Sequence, residues 1–306
     1  MSETVPRIRV RRPQGRRGSD LLRAFPWLAP ALVLIVGVVL FPAGLMIYNS
    51  TRVISQSGVD RGSAGFANYE TLLQFQPIWG VLARTLLWVV AVVALTVLIS
   101  LALAQLLNKA FPGRQLVRLA VIVPWAASVV MTTLVVYYGL DPFYGIINEI
   151  LVHLGVIDSP YGWTKNVVSA FTWSIGIAVF VSLPFTSYTI LAGLQTVPGD
   201  VLEAAKVDGA SRSRTYFSII LPQLRPALAV AILINIINVF NSLPILKVMT
   251  GSIPGYDADT VMTLIFKYIQ TDHQIDVASA LSVVGFVIVL VIVAIYVRVV
   301  RPMKES

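Results

Sequence analysis

The sequence predicts an all-α transmembrane fold with six membrane-spanning helices, and three observations carry that expectation. Hydrophobic residues make up 57% of the 306 residues and charged residues only 12%, a balance that excludes an ordinary water-soluble domain. Six runs without a charged side chain, at 27–48, 86–107, 119–138, 167–194, 227–246 and 277–297, each reach the roughly 20 apolar residues that a helix needs to cross a bilayer core. None of the runs splits into short alternating segments, so helices rather than a barrel satisfy the backbone in lipid.

Residues 1–26 read as a basic tail, because Arg7, Arg9, Arg11, Arg12, Arg16, Arg17 and Arg23 face only Glu3 and Asp20 there. The net charge of +8 is largely a property of this tail. Beside an apolar run such charge serves membrane orientation and attraction to anionic headgroups, so membrane lipid is the expected partner and nucleic acid is not. The first run, 27–48, is longer than a secretory core segment and has no small-residue cleavage site after it. It reads as a retained span.

Residues 27–300 form the expected transmembrane domain and 301–306 a short second tail. Pro42, Pro124, Pro184 and Pro244 interrupt spans, where a proline frees a carbonyl and kinks the axis; a hinge and a merely tolerated kink fit equally well. Two connections, Tyr144 to Leu154 and Val261 to Ile269, have helical apolar spacing and read as short helices on the outer surface. Seventeen of the 23 Lys and Arg residues fall on the side of the two termini, with Arg52, Arg61, Arg84, Lys165, Lys247 and Lys267 on the other. That bias makes both termini cytoplasmic.

Several chemistries are excluded. The chain has no cysteine, hence no disulfide or thiolate site. His153 and His273 lie in separate loops without a second histidine at ligand spacing, so no metal site is expected. No G-x-x-x-x-G-K-[ST] phosphate loop and no G-x-S-x-G elbow occur, which argues against a nucleotide site or a hydrolase in this chain. No catalytic residue is assigned, and no inverted or solenoid repeat is seen.

The connection between spans four and five is the most informative stretch, with its core at residues 198–222. Pro198, Gly199 and Asp200 end span four and start a helix whose body is Val201 to Val207, and Gly209 stops it. Arg212 opens a second short helix that runs to Leu221, and Pro222 and Pro226 lead into span five. A helix, a glycine turn and a second helix are too polar for lipid and too ordered for a slack linker. Such a loop is built to be docked upon.

Here the sequence resembles a known family. Glu203, Ala204, Ala205, Gly209, Ile219, Leu221 and Pro222 match EAA-x3-G-x9-I-x-LP without a gap, the signature loop of bacterial ABC importer permeases. Asp208, Gly209 and Ala210, with Gln195 to Pro198 ahead of them, are similar to the carbohydrate branch that includes maltose and glycerol-phosphate permeases. The segments GFANYETLL from Gly65 and Ala280 to Ser282 extend the likeness, and within the branch the chain looks most like mycobacterial trehalose importer permeases. Taken alone, Glu203 would be a solvated helix face and Gly209 an ordinary helix stop; seven fixed positions together favour the family.

The resemblance implies a six-helix ABC importer permease with a cytoplasmic coupling helix, located in the bacterial plasma membrane. Its coupling residues would be Glu203, Ala204, Ala205, Asp208, Gly209 and Ala210. Implied partners are a second permease subunit, two ATP-binding subunits and an extracytoplasmic sugar-binding protein. ATP and Mg would be bound by the ATPase partners and no cofactor by this chain. The small side chains of Ala204 and Ala205 allow close approach, Glu203 offers an acceptor, and Gly209 permits a positive φ.

Polar side chains within a span are candidates for function. Asn235, Asn238 and Asn241 recur every three residues along span five, where amides suit sugar hydroxyls or, equally, hydrogen bonds between helices. By resemblance, Asn238 and Asn241 fall, after a one-residue gap, where maltose-type permeases have sugar-contacting asparagines. Ser182 and Phe185 fall where those permeases have a glycine and a tyrosine near the sugar, while Ala178 replaces an asparagine. The expected function is thus the permease of an ATP-driven sugar importer, for a disaccharide such as trehalose. The alternative, an ion-coupled secondary transporter, would need ionisable groups within its spans, and none of the six has one.

Overall fold

The computed structural model describes residues 17–300, so the tail reading for residues 1–16 and 301–306 lies outside the described residues. The described residues fall into two compact units that divide between Tyr48 and Asn49. In the first, α1 (Arg17–Leu34) passes through a π-helical turn at Ile35–Leu40 into α2 (Phe41–Asn49), giving a continuous apolar helix from Phe25 to Asn49. The widened turn precedes Pro42, which has no N–H for the carbonyl of Val38, and the Phe41 N–H reaches back to Val36 instead. Pro42 therefore widens the helix without breaking it. From Phe25 to Tyr48 no side chain of this helix is buried.

The second unit opens with a hairpin that the sequence reading does not anticipate, β1 (Arg52–Ile54) paired antiparallel with β2 (Asp60–Ser63). An Arg52 to Asp60 ion pair at 2.8 Å closes it. Helix α3 (Ala67–Gln74) follows, anchored by the Asn68 amide, which donates to the carbonyls of Ser50 and Arg52 at 3.0 and 2.9 Å.

Helix α4 (Ile78–Asn108) is the longest, and its stripe of Val81, Trp88, Val92, Thr96, Ser100 and Ala104 is buried. Span three is not straight. It consists of α5 (Arg114–Ala126) and α6 (Val129–Gly139), set 96° apart. The break follows Pro124, where Ala127 and Ser128 are extended at ψ 144° and 134°. Helix α7 (Ile146–His153) then forms where the apolar spacing places it, fixed by Asn148, which is 2% exposed and donates to the carbonyls of Leu140 and Tyr161.

Helix α8 (Val167–Gln195) covers the fourth apolar run and packs along α4. The polar connection contributes α9 (Gly199–Val207), α10 (Arg212–Thr215), a π-helical turn at Tyr216–Ile220 and α11 (Leu221–Gln223). Span five begins with α12 (Arg225–Phe240), inclined 66° to the helix before it. It ends earlier than the apolar run, because the chain turns at Asn241 and Ser242 into α13 (Leu243–Thr250), whose first turn holds Pro244.

Helix α14 (Val261–Gln270) corrects the expectation of a surface helix. Its Val261 and Leu264 are fully buried and it packs on α15 (Ile275–Val300), because so strong an apolar face requires a partner. The loop ahead of it is braced by charge. Arg84 of α4 donates to the carbonyls of Asp259 and Tyr256 at 3.0 and 2.8 Å, and Lys267 meets the Asp259 carboxylate at 2.7 Å. Asp259 is 2% exposed, so this ion pair offsets the cost of burying its charge. On the same helix, burial first, then the proximity of Tyr256 and Asp272, pushes the Tyr268 phenol up to about 12, and it stays neutral at physiological pH.

Four described helices are long and apolar enough to cross a membrane, and counting each bent pair as one span gives up to six. The main core gathers Trp88 of α4, Leu246 and Met249 of α13, Leu264 of α14 and Leu281 of α15. A second core of Ala104, Leu107, Ile190, Leu194 and Leu224 lies under the polar connection.

Candidate functional site

Two places carry the residues singled out in the sequence. The first is the connection between α8 and α12. Thr196 ends α8 by donating its hydroxyl to the Gly193 carbonyl at 2.8 Å. A Cβ on Gly193 would lie 2.6 Å from that of Ala227, so α8 and α12 approach there as closely as glycine allows. The loop thus emerges from a fixed crossing.

Helix α9 ends in a Schellman motif. The Ala210 N–H donates to the Ala205 carbonyl at 2.9 Å and the Gly209 N–H to the Lys206 carbonyl at 3.1 Å, with Gly209 at φ +72°. Asp200 in the first turn and Lys206 in the last both suit the helix dipole. Ser211 caps the next helix by accepting from the Arg214 N–H at 3.3 Å.

Glu203, Ala204, Asp208 and Gly209 are exposed, and Ala210 is half-buried. Val207, one turn from Glu203 and Ala204, is 87% exposed. Ala205 is only 5% exposed and faces the chain itself, so the close approach read for two alanines rests on Ala204. Among the described residues, no ion pair or hydrogen bond engages the Glu203 carboxylate. The exposed face of α9 thus presents a free carboxylate, a small side chain and a valine. Burial raises the Tyr216 phenol above its ordinary pKa.

The second place is a cavity of about 350 Å³ between α5, α8, α12 and the start of α13. It brings together Ser182, Phe185, Asn235 and Asn238 and leaves Asn241 outside its lining. The three asparagines differ in what they do. Asn235 is 3% exposed, and its amide donates to the Thr186 hydroxyl and the Ala231 carbonyl, both at 2.8 Å. Asn241 sits at the end of α12 and donates to the Ile237 carbonyl at 2.8 Å. Asn238 is exposed, and no hydrogen bond among the described residues engages its amide.

Ser242, the polar residue that follows the asparagines of span five, also lines the cavity, as does Trp125, which the sequence reading did not single out. The available signal for Trp125 was its place directly after Pro124, where the helix is about to break. Ser242 follows Asn241 in a stretch that reads as continuous span. The cavity therefore offers amide and hydroxyl groups beside the aromatic surfaces of Trp125 and Phe185, and no ionisable side chain lines it. Such a lining suits a neutral, polyhydroxylated solute.

Comparison with known proteins agrees with this architecture. Residues 96–303 match the family model described as the binding-protein-dependent transport system inner membrane component. A probable ABC transporter permease protein of Brucella suis is 33% identical over 93% of this chain and 99% of its own length. The trehalose transport system permease protein SugA of Mycobacterium tuberculosis is 32% identical over 93% of this chain and 90% of its own. A chain in the crystal structure of a bacterial alginate ABC transporter, in complex with a periplasmic protein carrying an alginate pentasaccharide, superposes with a TM-score of 0.80 at 21% identity, covering 95% of this chain and 99% of that one. With the family model spanning more than half of its length, this chain belongs to the binding-protein-dependent transport system inner membrane components.

Proposed function

We propose that this chain is a permease subunit of an ATP-driven sugar importer, that its substrate is a neutral disaccharide such as trehalose, and that α9 is its coupling helix. One observation carries the substrate class: the cavity presents Asn238, Ser182 and Ser242 beside the rings of Trp125 and Phe185, with no charged group to recognise an ion or a zwitterion. The similarity to a trehalose permease supports the finer reading. In this reading Asn238, Ser182 and Phe185 meet the sugar, Asn235 holds their frame, and Asn241 acts at the end of α12.

Coupling follows from the exposed face of α9. Glu203, Ala204, Asp208, Gly209 and Ala210 dock on an ATP-binding subunit, and Ala205 seats the helix on its own chain. Two such subunits bind ATP and Mg, a second permease completes the pathway, and an extracytoplasmic sugar-binding protein delivers substrate. Closing and opening of the ATP sites then moves α9, and with it α8 and α12, between inward and outward cavities. An ion-coupled transporter is disfavoured by the same lining, which offers no proton or ion site.

Uptake of labelled trehalose by cells carrying the whole importer tests the reading. Unlabelled neutral disaccharides should compete, and amino acids and inorganic phosphate should not. Competition by a charged solute but not by any sugar overturns the substrate class.

A further inference from the structure

Where the second core meets the polar connection, three hydrogen-bond donors lack an acceptor. The Nε atoms of Arg114 and Arg118 and the Nε2 of Gln105 are buried and unpartnered among the described residues. They come from elements that share one base. Arg114 and Arg118 are one turn apart on α5, on the stripe that continues through Val117 and Val121 into the second core. Gln105 follows Ala104 in the last turns of α4, and Ala104 belongs to that core as well. Tyr216, a neighbour of Gln105, stands four residues before Ile220, which packs there too. The Tyr188 hydroxyl of α8 donates to the Arg118 carbonyl at 3.2 Å and holds this part of α5 in place.

A buried guanidinium N–H without an acceptor is costly, so the arrangement calls for one. The only ion pairs among the described residues are Arg52 with Asp60 and Lys267 with Asp259, so no carboxylate of the described chain meets either arginine. All three groups donate and two are positively charged, which selects an anionic group made of acceptors. Their level in the fold narrows the choice further. The apolar run of α4 ends at Leu107 and the next begins at Leu119, which puts Arg114 and Arg118 at the polar boundary of the bilayer. One turn on from Arg118 along the same face of α5, Ile122 is 40% exposed and offers apolar surface for an acyl chain beside the donors.

We infer that Gln105, Arg114 and Arg118 hold the phosphodiester of an anionic phospholipid, with an acyl chain of that lipid lying along Ile122. Arginine pairs with phosphate in a two-point geometry that lysine does not reproduce, and the cost of the orphaned donors disappears when the headgroup arrives. The lipid then bridges α4, α5 and the turn that carries the connection between α8 and α12. Bound there, it stabilises the assembled state.

The test uses the intact importer complex in nanodiscs of phosphatidylcholine alone and of phosphatidylcholine mixed with phosphatidylglycerol. Phosphatidylglycerol should raise the melting temperature by a few degrees, and Arg114→Gln with Arg118→Gln should abolish most of that gain. The exposed pair Arg212→Gln with Arg214→Gln should keep it. An equal gain in both double variants overturns the inference, because general surface charge would then explain it. The same rise with inorganic phosphate in pure phosphatidylcholine overturns the lipid source. Weakened subunit assembly without lipid dependence overturns it in favour of a carboxylate from a partner subunit. If the first double variant fails to assemble, native mass spectrometry of the wild-type complex decides: retention of phosphatidylglycerol over phosphatidylcholine is expected, and no preference overturns the site.

Discussion

Asn235 and Asn238 stand one turn apart on α12 and face opposite demands. The first spends its amide on Thr186 and Ala231 while almost fully buried, and the second turns an unengaged amide into the cavity. Asn235→Leu should therefore lower the melting temperature, at a cost of roughly 1–3 kcal/mol for the broken buried hydrogen bonds. Asn238→Leu should leave melting unchanged and slow sugar uptake about fivefold, the worth of one neutral hydrogen bond of about 1 kcal/mol. Uptake measured beside thermal unfolding separates them, and equal losses in both assays for Asn238→Leu would mark it as a packing residue. Sequence spacing put these asparagines on one span but did not reveal their division of labour. Each step of three residues rotates the side chain by about 60°, so the trio drifts around the helix. The chain also leaves the helix at Asn241, a turn that hydropathy does not register.

At the scale of elements, the stop of α9 is fully specified by local chemistry, because Gly209 needs only its backbone conformation. No neighbouring atom lies within 4 Å of a Cβ placed there. Gly209→Val should cost about 1–3 kcal/mol through its positive φ, whereas Gly209→Asn should be tolerated, since asparagine enters that region readily. Coupled ATPase activity should follow the same order, and a wild-type rate for the valine variant would show that the turn does not transmit motion. Glu203→Lys reverses the charge of an exposed, unpaired carboxylate. It should reduce transport and ATPase stimulation without changing permease melting. This loop was legible because proline, glycine and aspartate punctuate it. The breaks in spans three and five were not, because the count of apolar residues is the same whether Ala127 and Ser128 are helical or extended. The hairpin closed by Arg52 and Asp60 was hidden as well, since strands of three and four residues carry no readable alternation.

For the whole molecule, sidedness turns on the bend between α5 and α6. A 96° bend is compatible with one broken span or with a segment that enters and leaves on the same side. The charge bias separates the two. With one span, Lys206, Arg212, Arg214 and Arg225 share a side with the N-terminal arginines; with a re-entrant segment, all four would lie outside, against the rule that cytoplasmic loops hold the excess of Lys and Arg. Residues 142–166 would exchange sides as well. The absence of cysteine makes the alternatives measurable with single introduced thiols. Arg212, Asp158 and Asp257 are all exposed, so protection at any of them reports sidedness rather than burial. In intact cells an impermeant maleimide should label Asp158→Cys and Asp257→Cys and spare Arg212→Cys until the membrane is opened. A re-entrant segment reverses all three results: position 212 labels from outside, and positions 158 and 257 become protected. That outcome would also place α9 on the wrong side for any cytoplasmic ATPase, so one experiment tests the topology and the coupling role together.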